Sequence, residues 1–245
     1  MLDTSTPFHH APADEQLEAL KGVVRRLTRD VTPVRVLEAG CGEYPSPIGL
    51  EEVESFIVGI DVSQRQLDRN GWAHEKIHAD LETYELPAAQ FDVVVTWDVL
   101  EHLVKPDRVL TKLLLAVKPG GVLVVKVPNV LSAKGLITKL TPYRFHVWVY
   151  KHVFGYRNPG KDDRPPFKTF LKRAIAPGGL LRFAREHGLP VEMFAAYEAD
   201  KQANVRVRYH VTGRIWRVIR GIMTTLSLGR IDPEATELIA VFRKV

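Results

Sequence analysis

Two glycines and an acid are spaced as they would be in a site for a nucleoside. Gly40 and Gly42 follow one apolar run, Val34–Ala39, and Asp61 follows a second apolar run, Phe56–Ile60. Glycine allows the backbone to approach a ligand at a point where a Cβ atom would clash. A carboxylate at the end of the next strand can accept hydrogen bonds from both hydroxyls of a ribose. The spacing therefore predicts a nucleoside-binding βαβ unit.

The residues around this turn favour a cationic ligand over a dinucleotide. A dinucleotide fingerprint has a third glycine close to the pyrophosphate, and this chain has Pro45 at that position. An acid, Glu38, lies two residues before Gly40. That acid suits a ligand with a positive charge and an amino group near the turn. It does not suit two phosphates.

At this point the chain resembles the class I S-adenosylmethionine-dependent methyltransferases. Their first motif has an acid and then glycines at alternate positions, although Tyr44 stands here at the family's usual third glycine. Further landmarks follow in the family's order over about residues 34–130. They are Asp80-Leu81 after a short strand, Lys76–Ala79; Trp97 near the end of a fourth strand, Phe91–Asp98; and the turn Val117–Gly121 before a fifth strand, Val122–Val127.

The resemblance implies a cofactor, its contacts and a fold. The cofactor is S-adenosyl-L-methionine, with Asp61 on the ribose, Asp80 on the adenine amino group and Trp97 over the adenine. The fold is α/β, a doubly wound, mostly parallel seven-stranded sheet (the Rossmann-like methyltransferase fold) with an elaborated substrate-side insertion after strand 5. The implied cofactor-binding residues are Glu38, Gly40, Gly42, Asp61, Val62, Asp80, Leu81 and Trp97.

Hydrophobic periodicity predicts a single domain, 1–245, with four regions. An amphipathic helix at Asp14–Arg29 lies in an N-terminal helical cap (1–33), and the family places such a helix beside or over the cofactor. A cofactor-binding half (34–130) is followed by a substrate lid region (131–190). The last region (191–245) contains the final strands, Val191–Tyr197 and an antiparallel Glu237–Phe242, with a basic amphipathic helix at Val211–Leu226.

A histidine and two acids after the fourth strand are candidates for the chemistry. His102 follows that strand and titrates near neutral pH, so we predict that it is a general base; a structural histidine at a helix start is the alternative. Asp98, Glu101 and His102 would share one face of a helical turn and, with His146, could hold Mg²⁺. The set is similar to the acid-x-x-Glu-His arrangement of ubiquinone-pathway O-methyltransferases.

The lid region contains a cluster of aromatic residues at Tyr143–Tyr150. We predict that Tyr143 and His146 contact the substrate from an aromatic wall at the carboxyl ends of the strands. The alternative is a helix whose aromatic side chains pack on the sheet.

Charge differs between the two halves of the chain. Residues 1–120 contain 12 Lys/Arg and 20 Asp/Glu, whereas residues 121–245 contain 22 and 9. The basic half indicates an anionic partner, which could be a small metabolite, an anionic membrane surface or nucleic acid. The alternative is a solvated basic surface that has no partner. The helix at Val211–Leu226 fits either peripheral membrane contact or packing on its own domain or on a second copy in a homodimer.

The hydrophobic runs and the cysteine content of the chain indicate its cellular compartment. No apolar run approaches the length of a membrane span, and Met1–Asp14 lacks the apolar stretch of a signal peptide. Cys41 is the single cysteine, so no internal disulfide forms. We expect a cytoplasmic protein.

Three functions compete at this level. We predict methyl transfer to a hydroxyl of a small metabolite. This metabolite would be anionic or hydroxylated, or it would be linked to a lipid. A nicotinamide-dependent oxidoreductase is a rival because Tyr197 and Lys201 have the Tyr-x-x-x-Lys spacing, although they follow a strand. A nucleic-acid-binding or nucleic-acid-methylating protein is a second rival, and the chain lacks the pattern of a known RNA-binding module.

Overall fold

A computed structural model of the chain describes residues 12–132, 135, 138, 140–160, 165–208, 210–227 and 233–245. Seven strands in these ranges form one sheet: β1 Val34–Ala39, β2 Ser55–Asp61, β3 Glu75–His78, β4 Phe91–Trp97, β5 Val117–Pro128, β6 Val191–Tyr197 and β7 Glu237–Arg243. The helices that we name are α1 Ala13–Thr28, α2 Gln64–Arg69, α3 Pro106–Ala116, α4 Tyr143–His152, α5 Pro177–Glu186, α6 Asp200–Arg208 and α7 Gly213–Leu226. Short 3₁₀ helices lie at Leu100–His102 and Arg173–Ile175.

The strand order is β3-β2-β1-β4-β5-β7-β6. Neighbouring strands from β3 to β5 are parallel, and β7 runs antiparallel to both β5 and β6. The predicted seven-stranded, mostly parallel sheet and its antiparallel last strand are confirmed. Strand order reverses between β1 and β4, so a crevice opens there at the carboxyl ends of the strands.

Helices cover both faces of the sheet, which explains why its central strands are continuous apolar runs. Alternate residues of β4 divide between two cores: Val94 packs with α3 and α5, whereas Val93 and Val95 pack on the opposite face. All three valines are buried.

The first helix packs on the sheet and does not line the cavity. Leu20 and Val24 of α1 are buried in the same core as Val93 and Val95. None of the residues of α1 lines the cavity described below. The apolar stripe of α1 is used against the strands, and a position of this helix beside or over the cofactor stays a prediction.

The fifth strand begins earlier than predicted. The predicted turn at Val117–Gly121 is the first part of β5, because the N–H of Gly120 donates to the carbonyl of Lys244 and the N–H of Lys244 donates to the carbonyl of Gly121. This pairing lengthens the ladder toward the end of the chain.

Within the described ranges, no helix has the length and hydrophobicity needed to cross a bilayer.

Candidate functional site

A cavity of about 660 Å³ opens at the carboxyl ends of β1, β2 and β4. This volume is in the usual range for small-molecule sites. Seven of the eight residues predicted to bind the cofactor line this cavity: Gly40, Gly42, Asp61, Val62, Asp80, Leu81 and Trp97. His102 lines it too.

The glycine turn after β1 is tied to β2. Gly40 and Gly42 have φ angles of +78° and +51°, which side chains disfavour. The N–H groups of Gly40 and Cys41 both donate to the carbonyl of Ile60, at 2.8 and 3.0 Å. A Cβ atom added to Gly40 would overlap Cγ2 of Val99. The turn therefore requires glycine at position 40 both for its backbone angle and for space.

We expect Gly40→Ala to lower the free energy of unfolding by about 2–5 kcal/mol. About 1–2 kcal/mol comes from the left-handed backbone, and about 1–3 kcal/mol comes from overpacking against Val99. Gly120→Ala is the matched control, because Gly120 has φ +82° and no atom within 4 Å of an added Cβ. Urea denaturation measures both variants. An equal loss of stability in the two would contradict a steric role for Val99.

Two acids at neighbouring strand ends face the cavity. The carboxylate of Asp61 is fixed by two backbone donors: Oδ2 accepts from the N–H of Gly42 at 2.9 Å, and Oδ1 accepts from the N–H of Ser63 at 2.8 Å. Each oxygen keeps a lone pair that could accept from a ribose hydroxyl. Oδ1 of Asp80, in the turn after β3, accepts from the N–H of Glu82 at 2.8 Å. This pair of oriented acceptors fits an adenosine.

Glu38 is the one predicted cofactor residue that does not line the cavity. Its Oε2 accepts from the hydroxyl of Ser46 at 2.7 Å and its Oε1 from the N–H of Ser46 at 3.3 Å. Burial raises the pKa of Glu38 to about 7, although both bonds from Ser46 oppose the shift. Glu38 thus anchors the Pro45–Pro47 loop that replaces the third glycine, and Tyr44 stands 78% exposed at the cavity rim.

His102 is held at the cavity by the backbone of a distant segment. Its Nδ1 lies 2.8 Å from the carbonyl oxygen of Lys168, and because a carbonyl only accepts, Nδ1 carries the proton and Nε2 is left as the acceptor. The Phe167 ring and the imidazole pack edge to face, with an angle of 76° between their planes. Burial lowers the pKa of His102, with the bond to Lys168 opposing it. The N–H of Phe170 also donates to the carbonyl of Glu101, at 2.7 Å.

The predicted magnesium ligands are not assembled. The prediction placed Asp98, Glu101 and His102 on one α-helical turn, but Asp98 has φ +56° and precedes a short 3₁₀ helix. Burial raises the pKa of Glu101 well above its usual range, and His146 bonds to Thr141. Across the residues that the structure describes, no group of three His, Cys, Asp or Glu side chains could hold a metal ion.

A buried lysine, which the sequence analysis missed, explains the position of Asp98. The Nζ of Lys126 lies 2.6 and 2.7 Å from the two carboxylate oxygens of Asp98 and 2.8 Å from Oε2 of Glu237. These attractions raise the pKa of Lys126 against the effect of burial. The signal was in the sequence, since Lys126 interrupts the apolar run of the fifth strand.

The predicted substrate residues lie outside the cavity lining. The hydroxyl of Tyr143 donates to the carbonyl of Pro166 at 2.8 Å, next to Phe167, and Nε2 of His146 lies 2.9 Å from the hydroxyl of Thr141. No residue of α4 is fully buried, but Tyr150 is half-buried, and burial together with the charges of Asp98 and Glu237 raises its pKa. The alternative that aromatic side chains of this helix pack on the sheet therefore stays open. Contact of Tyr143 and His146 with a substrate stays a prediction.

The residues of the rival oxidoreductase motif follow a strand, not the cofactor turn. Tyr197 ends β6 and is buried, and desolvation raises its pKa to about 12. A tyrosine that donates a proton beside a nicotinamide needs the opposite shift.

Comparison with known proteins agrees with this geometry. A family model described as a methyltransferase domain matches residues 11–157. The chain is 30% identical over 125 residues to a probable S-adenosylmethionine-dependent methyltransferase of Mycolicibacterium smegmatis, covering 49% of each protein. It is 24% identical over 161 residues to a ubiquinone biosynthesis O-methyltransferase of Coxiella burnetii, covering 63% of this chain and 62% of that protein. The chain thus matches only about half of the length of the first relative.

Solved structures share the fold at low sequence identity. An S-adenosylmethionine-dependent methyltransferase from Mesorhizobium loti superposes with a TM-score of 0.53 at 17% identity, covering 93% of this chain and all of that one. Phosphoethanolamine N-methyltransferase 2 of Haemonchus contortus gives 0.56 at 16% identity, covering 94% of this chain and 52% of that one. Since the family model covers more than half of the residues, this chain belongs to the class I S-adenosylmethionine-dependent methyltransferases.

Proposed function

We propose that this chain transfers a methyl group to a hydroxyl oxygen of a small acceptor, with His102 as the general base. When bound, S-adenosylmethionine supplies an electrophilic methyl group on a sulfonium. The observation that carries the proposal is the bond from Nδ1 of His102 to the Lys168 carbonyl, because it leaves Nε2 of this cavity-lining residue as a proton acceptor. A hydroxyl needs such a base, whereas a neutral amine can attack without one.

The residues that would hold the cofactor carry charges that suit it. Asp61 and Asp80 would accept from the ribose hydroxyls and the adenine amino group, and Trp97 would cover the adenine. Five acids line the cavity and would attract a cation: Glu43, Asp61, Asp80, Glu82 and Asp98.

We further propose that the acceptor is anionic. Phe167 lines the cavity, and the segment that follows it contains two lysines: the Nζ atoms of Lys168 and Lys172 lie 5.3 and 5.9 Å from the centroid of the Phe170 ring. Neither lysine lines the cavity, but both belong to the segment that follows its lining residue Phe167, and their charges would favour the approach of a carboxylate or phosphate on the acceptor. The relative from Coxiella, a ubiquinone biosynthesis O-methyltransferase, supports transfer to oxygen.

Methyl transfer from isotopically labelled S-adenosylmethionine tests the acceptor atom. The acceptor panel contains hydroxylated aromatic compounds with and without a carboxylate or phosphate, and matched amines. We expect label on the hydroxyl oxygen of the anionic compounds. Label found only on amines would replace this proposal with N-methylation.

We expect Asp61→Asn to weaken binding of S-adenosylhomocysteine by about 10–150-fold, measured by calorimetry. The estimate assumes the loss of one charged hydrogen bond, about 1.5–3 kcal/mol. Asp68→Asn is the matched control, because Asp68 lies on the exposed side of α2 and accepts only from Gln64 in the contacts described. Thermal unfolding without ligand separates a binding defect from a folding defect. Unchanged affinity in Asp61→Asn would remove Asp61 from the ribose site.

A further inference from the structure

Three large apolar side chains of α7 lie in solvent. Ile215, Val218 and Ile222 are 58%, 61% and 53% exposed. Their spacing of three and four residues puts them on one side of the helix. A continuous exposed apolar row of this kind marks a site for a partner more often than an isolated exposed residue does.

The opposite side of α7 fixes this orientation. Nε1 of Trp216 donates to Oε1 of Glu234 at 2.7 Å, and Nη1 of Arg220 donates to Oε2 of Glu234 at 2.7 Å. The guanidinium of Arg206 lies over the Trp216 ring, 4.4 Å from its centroid. At about 3.6 residues per turn, Trp216 and Arg220 point away from Val218. The apolar row is therefore exposed because the other side of the helix is attached to the domain.

Exposed basic residues follow the apolar row around α7, and exposed aromatic residues lie on α4. Arg214 and Arg217 are exposed; at about 100° per residue, Arg214 lies beside Val218, and Arg217 lies farther round, between Val218 and Arg220. On α4, Trp148 is 54% exposed and lies among other exposed aromatic and basic residues. Nη1 of Arg208, the last residue of α6, donates to the carbonyl of Val153, just after α4, at 3.4 Å. The end of α6 therefore lies close to the end of α4.

We propose that the α7 surface, defined as Ile215, Val218 and Ile222 with Arg214 and Arg217, docks on an anionic phospholipid bilayer. The apolar row would enter the interface, and the guanidinium groups would contact lipid phosphates. Charge favours this occupant over a second copy, because an isologous contact through α7 would bring the arginines of both copies together. The inference does not depend on the acceptor or on His102, since binding is measured without turnover.

Co-sedimentation of the full chain with vesicles tests the proposal. One set of vesicles contains phosphatidylcholine alone, and the other contains phosphatidylcholine with phosphatidylglycerol. We expect binding to the anionic vesicles only, weakened by salt as lipid electrostatics requires. No sedimentation with anionic vesicles would overturn the proposal.

Matched variants locate the contact. The triple variant Ile215→Ser/Val218→Ser/Ile222→Ser should lose at least about tenfold in vesicle affinity, because it removes the apolar area that enters the interface. Leu115→Ser is the control, since Leu115 is similarly exposed on α3. Circular dichroism should show both variants folded. A triple variant that binds vesicles like the unsubstituted chain would overturn the proposal. It would also be overturned if sedimentation velocity showed a dimer for the unsubstituted chain and for Leu115→Ser but a monomer for the triple variant.

Discussion

The variant His102→Asn is expected to lower kcat/KM for methyl transfer by about 10²–10⁴-fold, the usual contribution of a general base. Asparagine is the informative replacement because its side-chain amide can donate to the Lys168 carbonyl as Nδ1 of His102 does, at 2.8 Å. The segment that contains Phe167 should then stay in place. Affinity for S-adenosylhomocysteine and the thermal unfolding temperature should therefore be unchanged.

The pH profile separates a base from a structural histidine. The base must be neutral to accept a proton, so activity should fall as pH drops through the pKa of His102. Burial lowers that pKa, so the acid limb should lie below the ordinary value of about 6.5. The limb should be absent in His102→Asn. A variant that keeps both its rate and its acid limb would show that His102 only positions the 3₁₀ helix.

Removing the charge of Lys126 should destabilise the fold by about 3–5 kcal/mol, because breaking a buried ion pair leaves uncompensated charge. The side chains of Lys126 and Glu237 are 9% and 4% exposed, and Asp98 shares the same ammonium group. Lys126→Met keeps most of the side-chain volume and removes only the charge. Urea denaturation at neutral pH measures the loss.

Two comparisons make this result specific. Arg182→Met removes an ion pair to Glu186 in which both side chains are more than half exposed, and it should cost less than about 1 kcal/mol. Thermal unfolding of the same two variants gives the second comparison, in which Lys126→Met should again lose more stability than Arg182→Met. Equal losses in Lys126→Met and Arg182→Met would contradict a stabilising role for the cluster.

The sheet could be predicted because its strands are local patterns. Continuous apolar runs such as Val34–Ala39 occur where helices cover both faces, and the turns between them contain glycine or an acid. The extra residues of β5 could not be predicted, since they pair with Lys244, more than a hundred residues away. The position of α1 also could not be predicted, because an amphipathic stripe does not identify the surface that it packs against.

The candidate site, like the fold, could be predicted from the sequence only in part. Gly40, Asp61 and Asp80 lie at or just after the carboxyl ends of parallel strands in one sheet, so topology alone brings them to one cavity. The failed magnesium set assumed regular helical geometry, which the positive φ of Asp98 breaks. Glu38 does not line the cavity and bonds to Ser46, a partner that no periodic pattern specifies, and its contact with the cofactor stays a prediction.

The attachment of residues 167–170 to the 3₁₀ helix has an evolutionary consequence. Both bonds use main-chain groups of that segment, the carbonyl of Lys168 and the N–H of Phe170. Side chains there can be exchanged without losing either bond, so the imidazole keeps its tautomer while the cavity entrance changes shape. With His102 as the base that we propose, drift in this segment would admit new acceptors without moving the proton acceptor.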